Sequence, residues 1–124
     1  MAKEKDFDLE DRLIDFAVRT IQLTESLPKT KAGRHIAGQL IRSGTSPAPN
    51  YGEAQGAESR SDFIHKMKVC LKELRETKAW LKMIVKANFI KPVSKREPLI
   101  LENAQLISIF VASINTAKKN RKKT

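Results

Sequence analysis

The chain has 124 residues, a length that suits one domain with one continuous core. Apolar residues make up 40%, charged residues 31% and aromatic residues only 6%, which argues against a disordered chain and against a many-turned β-sandwich. The formal net charge of +10 predicts affinity for polyanions such as RNA, DNA or an acidic protein surface. A basic surface that only aids solubility is the alternative.

The number of cysteines and the hydropathy of the chain indicate the cellular compartment in which the protein resides. Cys70 is the only cysteine, so the chain cannot form an internal disulfide, and a cysteine-based zinc site is not expected. The mixed charges of residues 1–13 do not resemble a signal peptide. No run approaches the roughly 20 uninterrupted apolar residues that a membrane span needs. We therefore expect a cytoplasmic, reduced protein without membrane contact.

The first predicted helix covers about residues 8–27, after a frayed segment of residues 1–7. Its apolar residues recur every three or four positions, which is the period of an amphipathic helix. Asp8 is the expected N-cap. Pro28 is the expected stop, because proline disfavours the α conformation in the residue before it.

The second predicted helix covers about residues 30–57, with Thr30 as its cap. Pro47 and Pro49 each remove a backbone donor within it. Either the chain breaks into two helices there, or one long helix is kinked. We favour the kink, because the apolar pattern resumes in phase after the prolines.

The third predicted helix covers about residues 59–88, with Ser59 or Ser61 as its cap. Its apolar positions alternate four and three apart, as in the seam of a helical bundle. We interpret Cys70 as a packing residue of this seam. The seam consists of Phe63, Met67, Cys70, Leu74, Thr77, Leu81 and Ile84.

A connector leads to the fourth predicted helix, about residues 98–118, which is apolar on nearly all sides. Such a helix is either central or part of a subunit interface, and we favour the interface. The basic tail, residues 118–124, is either an arm ordered by a ligand or a solvated end. Four helices with short connections predict an all-α, antiparallel up-and-down four-helix bundle.

Sequence motifs for catalysis, metals or cofactors are absent. His35 and His65 lie on different helices without metal-ligand spacing, and there is no phosphate loop or nucleophile turn. We therefore predict a non-enzymatic protein with no catalytic residues, no metal and no cofactor.

One polar constellation is expected between the second and third helices. If they form a hairpin, Arg42 lies level with Glu76 and close to Glu73. We hypothesise an ion pair from Arg42 to one of these acids and a polar cluster around Asn50 and Glu53. Buried polar groups of this kind need partners and can fix helix register.

The cations are spread along the chain, and phosphate binding needs only clustered positive charge. Trp80 and Tyr51 are expected near the seam, so stacking on bases is not expected, and binding would depend on shape and charge. The candidate nucleic-acid-binding residues are Arg34, Arg60, Lys66, Lys68, Lys72, Lys82, Lys86, Lys118, Lys119, Arg121, Lys122 and Lys123.

The run QLIRSGTSPAPNYGEAQGAESRSDFIHKMKVCLKELRETKAWLKMI, residues 39–84, resembles the proteins encoded by 23S rRNA intervening sequences. That family includes the accessory protein of diversity-generating retroelements. The resembling positions are Arg42, Ser43, Thr45, Ser46, Asn50, Glu53, Ser59, Arg60, Phe63, Glu73, Glu76, Thr77 and Trp80.

The resemblance implies a basic four-helix bundle that assembles into a ring-like homopentamer, and no catalytic residues carry over. It also implies nucleic acid and a reverse transcriptase or a ribosomal component as partners. Our leading expectation is therefore an accessory protein that binds RNA or DNA through phosphates. The alternative is a scaffold whose basic surface binds an acidic protein.

Overall fold

The computed structural model describes the backbone of residues 2–123 and the side chains of residues 9–120. A short 3-10 turn, Val93–Lys95, lies in the last connector. The α-helices are α1 (Ala2–Thr24), α2 (Lys31–Thr45), α3 (Pro47–Gln55), α4 (Arg60–Ala87) and α5 (Glu97–Lys123). Because α2 and α3 form one kinked unit, the protein is all-α with four antiparallel helices, as predicted.

The helices pack around the core in the order α1, α2–α3, α4, α5. Helix α1 packs against α2, α3 and α5, whereas α4 packs against α5, α3 and α2. Helices α1 and α4 are therefore diagonal, and each has neighbours on two sides. Both the α1–α2 turn and the α4–α5 connector lie at one end of the bundle, and the α3–α4 turn lies at the other.

The core contains six of the seven predicted seam residues of α4, including Cys70, and residues from every other α-helix. The seventh, Phe63, is partly buried and packs against the core. Tyr51 is buried with its ring edge-to-face against Phe110, at a centroid distance of 6.0 Å. Trp80 is only half-buried, so its expected core position holds in part. The largest fully buried side chains include Phe16, Phe110, Leu13, Leu40, Met67 and Leu74.

Helix α1 differs from its predicted bounds at both ends. It begins at Ala2 rather than Asp8, because residues 2–7 contain no helix breaker and include good helix formers. The side chain of Asp8 lies outside the described residues. The helix ends at Thr24, and the chain tightens into i→i+3 hydrogen bonds that take it to Leu27, just before Pro28.

The chain does not reverse at the two prolines. Only Ser46 separates α2 from α3, and its backbone stays in the right-handed helical region at φ −72° and ψ −37°. The Asn50 side-chain nitrogen donates to the Ser46 carbonyl and hydroxyl oxygens, each at 2.9 Å. A kinked helix therefore describes this segment better than two separate helices do.

Helix α4 begins and ends within one residue of its predicted bounds. The Ser59 hydroxyl accepts a hydrogen bond from the Asp62 amide at 3.0 Å, which is an N-cap. At the other end Asn88 adopts the left-handed conformation, φ 57°, that commonly ends helices.

Helix α5 extends beyond its predicted end at residue 118 and continues to Lys123. The backbone of the basic tail is therefore helical up to that residue, although the side chains of Arg121, Lys122 and Lys123 lie outside the described part of the chain. Within the described residues, α5 alone is long and apolar enough to cross a membrane by length and composition, with a mean hydropathy of 1.3 over its apolar window. In the protomer, 28% of that window is buried.

Candidate nucleic-acid interface

Helix α4 carries its acids and most of its cations on different sides. Glu73 and Glu76 lie on the side that faces α2, where they contact Arg42. The side that faces α5 carries six cations and no acid: Lys68, Lys72, Arg75, Lys78, Lys82 and Lys86. Residues three and four apart share one face of a helix, so this arrangement follows from the spacing of the charges.

The side that faces α2 is neutralised within the protomer. Arg42 Nη1 lies 3.2 Å from Glu73 Oε1, and Arg42 Nη2 donates to Glu76 Oε2. Trp80 Nε1 donates to the same Glu76 oxygen at 3.0 Å. The guanidinium therefore contacts both of the acids that the sequence analysis named as alternatives.

Asn50 and Glu53 do not join this network. The Asn50 amide is bound to Ser46 within its own kinked helix, and Glu53 Oε1 lies 4.0 Å from Lys66 Nζ. Gln39 Oε1 joins the network instead and accepts from Arg42 Nε and Nη2 at 3.3 and 3.1 Å. Nearby, the Thr77 hydroxyl donates to the Ser43 hydroxyl in a buried hydrogen bond of 2.9 Å.

On the α5 side, the first half of α4 forms a basic groove with the last turns of α5. We call this the proximal groove. It encloses about 480 Å³ between Lys68, Lys72 and Arg75 on α4 and Asn115 and Lys118 on α5. No described acid forms an ion pair with Lys68, Lys72 or Arg75, and all three are exposed.

The groove continues toward the other end of the bundle, where its chemistry changes. We call this second part, about 330 Å³, the distal groove. Its floor is apolar and includes Leu81, Val85, Ile100 and Ala104. Its rim is formed by Lys78, Lys82 and Lys86.

The remaining predicted cations are placed differently. Arg60 lines a separate cavity with Phe63 and Asn120 near the end of α5. Arg34 donates to the Lys29 carbonyl at the start of α2, remote from the proximal groove. Lys66 lies beside Asp62 at 3.5 Å and near Glu53, so its charge is partly balanced.

Arg75 is the cation of the proximal groove that was not among the predicted site residues. Its signal was present, because Lys68, Lys72 and Arg75 are spaced four and three apart, which places them on one helix face. Lys78 belongs to the distal rim and was not among the candidate site residues either.

The described residues contain no group of three or more His, Cys, Asp or Glu that could hold a metal ion. Burial raises the pKa of the Cys70 thiol to about 12, so at neutral pH it is not a nucleophile. The ring of His35, an exposed residue, makes a T-shaped contact with Trp80 at a centroid distance of 5.9 Å.

Comparison with protein families decides the relationship of the chain. The family model described as "23S rRNA-intervening sequence protein" matches residues 5–110. The chain belongs to this family.

A solved structure supports the same relationship for this 23S rRNA-intervening sequence family protein. It is a Bacteroides thetaiotaomicron protein of unknown function from the S23 ribosomal protein family, at 31% identity and a TM-score of 0.78. The similarity covers 86% of our chain and 97% of that one. No curated protein matches this family member. The family match ends at Phe110, so Lys118 and the basic end of α5 lie beyond it.

Proposed function

We propose that the protein is a non-enzymatic, self-associating basic bundle that binds RNA or DNA through phosphate contacts. It would serve as an accessory to a ribonucleoprotein or a reverse transcriptase. The observation that supports this proposal is the proximal groove, where three unpaired cations of α4 lie beside the basic end of α5. Such a cluster raises the local potential for a polyanion.

The chemistry of the groove favours phosphate contacts over base reading. Its α4 rim is cationic, and no aromatic side chain lines it to stack on bases. Asn115 is its one uncharged polar side chain. We therefore propose binding that is strongly dependent on salt and nearly independent of sequence.

Self-association is the second part of the proposal. The family resemblance implies a homopentamer, and the surface has several large apolar side chains exposed to solvent. Their number supports burial against another copy. The most exposed are Ile14, Val18, Ile21, Met83, Val93 and Leu101.

The test is the salt dependence of binding to a structured RNA and a DNA duplex, measured by fluorescence anisotropy. A variant carrying Lys68→Gln, Lys72→Gln and Arg75→Gln should bind more weakly than the wild type. Its log–log salt slope should be shallower by about three, since each phosphate contact adds about one.

The matched control removes the same charge at the other end of the bundle, through Lys29→Gln, Lys31→Gln and Lys91→Gln, all at exposed positions. This control should keep the wild-type slope. Equal loss in both variants would mean that net charge alone attracts the nucleic acid. Absence of wild-type binding at low salt would overturn the nucleic-acid proposal and favour an acidic protein partner.

A further inference from the structure

A stripe of apolar side chains lies on the outside of α1. Ile14, Val18 and Ile21 are spaced four and three apart and are 49%, 46% and 43% exposed. We call this stripe, with its flanking acids, the acidic ridge. Those acids, all exposed, are Glu10, Asp11, Asp15 and Glu25.

The two cations of α1 whose side chains the structure describes, Arg12 and Arg19, lie on a different side of the helix. Arg12 forms a bidentate hydrogen bond to Glu102 of α5, at 2.9 and 2.8 Å. Arg19 lines a small cavity with Leu99 at the start of α5. Both arginines lie roughly 140° around α1 from the stripe at 100° per residue, so within residues 9–25 the ridge carries no cation.

The distal groove is the chemical counterpart of this ridge. It offers an apolar floor where the ridge offers apolar side chains, and lysines where the ridge has acids. No described acid forms an ion pair with Lys78, Lys82 or Lys86. Of the four acids of the ridge, only Asp15 has a described ion pair, with Arg19 at 3.6 Å. Most of the charge on both surfaces therefore lacks an opposite partner among the described residues.

The two surfaces lie on opposite sides of the molecule. Two helices separate the ridge from the groove around the outside of the bundle. The rest of α1 comes first, up to its Arg12–Glu102 contact with α5, and the outer side of α5 comes next. Ile100 and Ala104, which line the groove, lie about half a turn around α5 from Glu102. One protomer therefore cannot close this contact on itself.

We infer that the acidic ridge of one copy docks into the distal groove of a second copy. The contact is head-to-tail, because two different surfaces meet, and repetition gives a ring or an open filament. This inference rests on the self-association in the proposed function and specifies the surfaces that carry it. It leaves the proximal groove open for phosphates.

A second copy fits the groove better than nucleic acid does. A phosphate backbone would satisfy the lysines but would leave the apolar floor of Leu81, Val85 and Ile100 against a charged ligand. The ridge satisfies both parts of the groove, since it buries apolar surface and places carboxylates beside ammonium groups. Both complementary surfaces are present in the same chain.

Two surface variants test the contact. Val18→Asp places a charge in the apolar stripe of the ridge, and Ala104→Asp places one in the floor of the groove. Both positions are exposed on helices, so the folded protomer should tolerate each change, as circular dichroism and thermal unfolding will show. Light scattering after gel filtration should give an oligomer for the wild type and the mass of one 14.0 kDa chain for each variant.

Mixing the two variants separates head-to-tail from symmetric association. In the mixture, the intact ridge of Ala104→Asp can still dock into the intact groove of Val18→Asp, while both other surfaces are blocked. The mixture should therefore form a species of twice the 14.0 kDa chain mass. Ala32→Asp changes another exposed alanine, on α2, a helix that contributes to neither surface, and should leave the wild-type oligomer unchanged.

Each contrary result has a distinct meaning. A monomeric wild type would overturn both this inference and the self-association in the proposed function. An oligomer that survives both substitutions would overturn only the choice of surfaces. Two monomeric variants that fail to combine would overturn the head-to-tail contact. Phosphate binding is decided separately, by the salt slope of the proximal-groove variant.

Discussion

On the side of α4 that faces α2, two carboxylates share the guanidinium of Arg42, whereas on the side that faces α5 the cations have no acidic partner within the described protomer. The first arrangement satisfies its charges internally and fixes the position of α4 against α2. On the second side, the positive electrostatic potential can attract a ligand outside the protomer. One helix thus combines a structural side and a binding side, and the two should respond differently to mutation.

The largest loss of folding stability should come from a substitution in the core, on the buried face of α4 between its two sides. Leu74 is fully buried in α4, and its carbonyl accepts a hydrogen bond from the buried Asn103 side chain of α5 at 3.1 Å. Leu74→Ala should lower the free energy of unfolding by about 2–5 kcal/mol, through lost burial and the cavity that remains. Urea denaturation measures this change, and a loss under about 1 kcal/mol would show that the bundle repacks around the site.

The pH dependence of the folding stability tests whether the Cys70 thiol is buried in the α4 seam. Burial, followed by smaller contributions from Glu53 and Glu73, raises the pKa of the Cys70 thiol from 9.0 to about 12. The unfolded chain loses this proton near pH 9 and the folded chain does not, so the associated stability is present below pH 9 and is lost between pH 9 and pH 12.

Relative to Cys70→Ala, the wild type should lose up to about 1.4 kcal/mol of stability per pH unit in that range. The comparison of the two proteins removes the titration of the lysines, which both retain. Denaturation midpoints that change in parallel with pH would show that the thiol is solvated in the folded state.

The smallest changes in folding stability should come from single charge substitutions, and they compare the two sides of α4 directly. Glu76→Gln removes a charge that contacts both Arg42 and Trp80, and we expect a loss of about 1 kcal/mol that shrinks as salt rises. Lys72→Gln, on the side that faces α5, should change the stability by less than about 0.5 kcal/mol. Equal effects of the two substitutions on stability would remove the distinction between the sides.

The sequence predicted the architecture well because its signals are local. The N-cap at Ser59, the period of the α4 seam and the position of Pro28 each act within a few residues. The neighbourhood of Arg42 followed from these signals, since the register of a hairpin fixes which residues face each other.

The candidate site was harder to predict, because charge pairing depends on which helix lies beside each face. The ion pair of Lys66 with Asp62 joins residues four apart on α4, so its spacing was visible in the sequence. The position of Lys68 in the proximal groove was not, because the groove also needs α5. The helical continuation of α5 to Lys123 was also missed, because the basic composition resembles that of a solvated tail.

The kink at Ser46 also bears on how the fold opens. Pro47 and Pro49 have no amide hydrogen, so the helical ladder is interrupted where α3 begins, and α3 has only nine residues and no side-chain N-cap. A helix of that length is not stable alone and depends on the burial of Tyr51 and Ala54. Its amides should therefore exchange with deuterium before those in the middle of α4, which makes α3 the segment of the bundle that opens first.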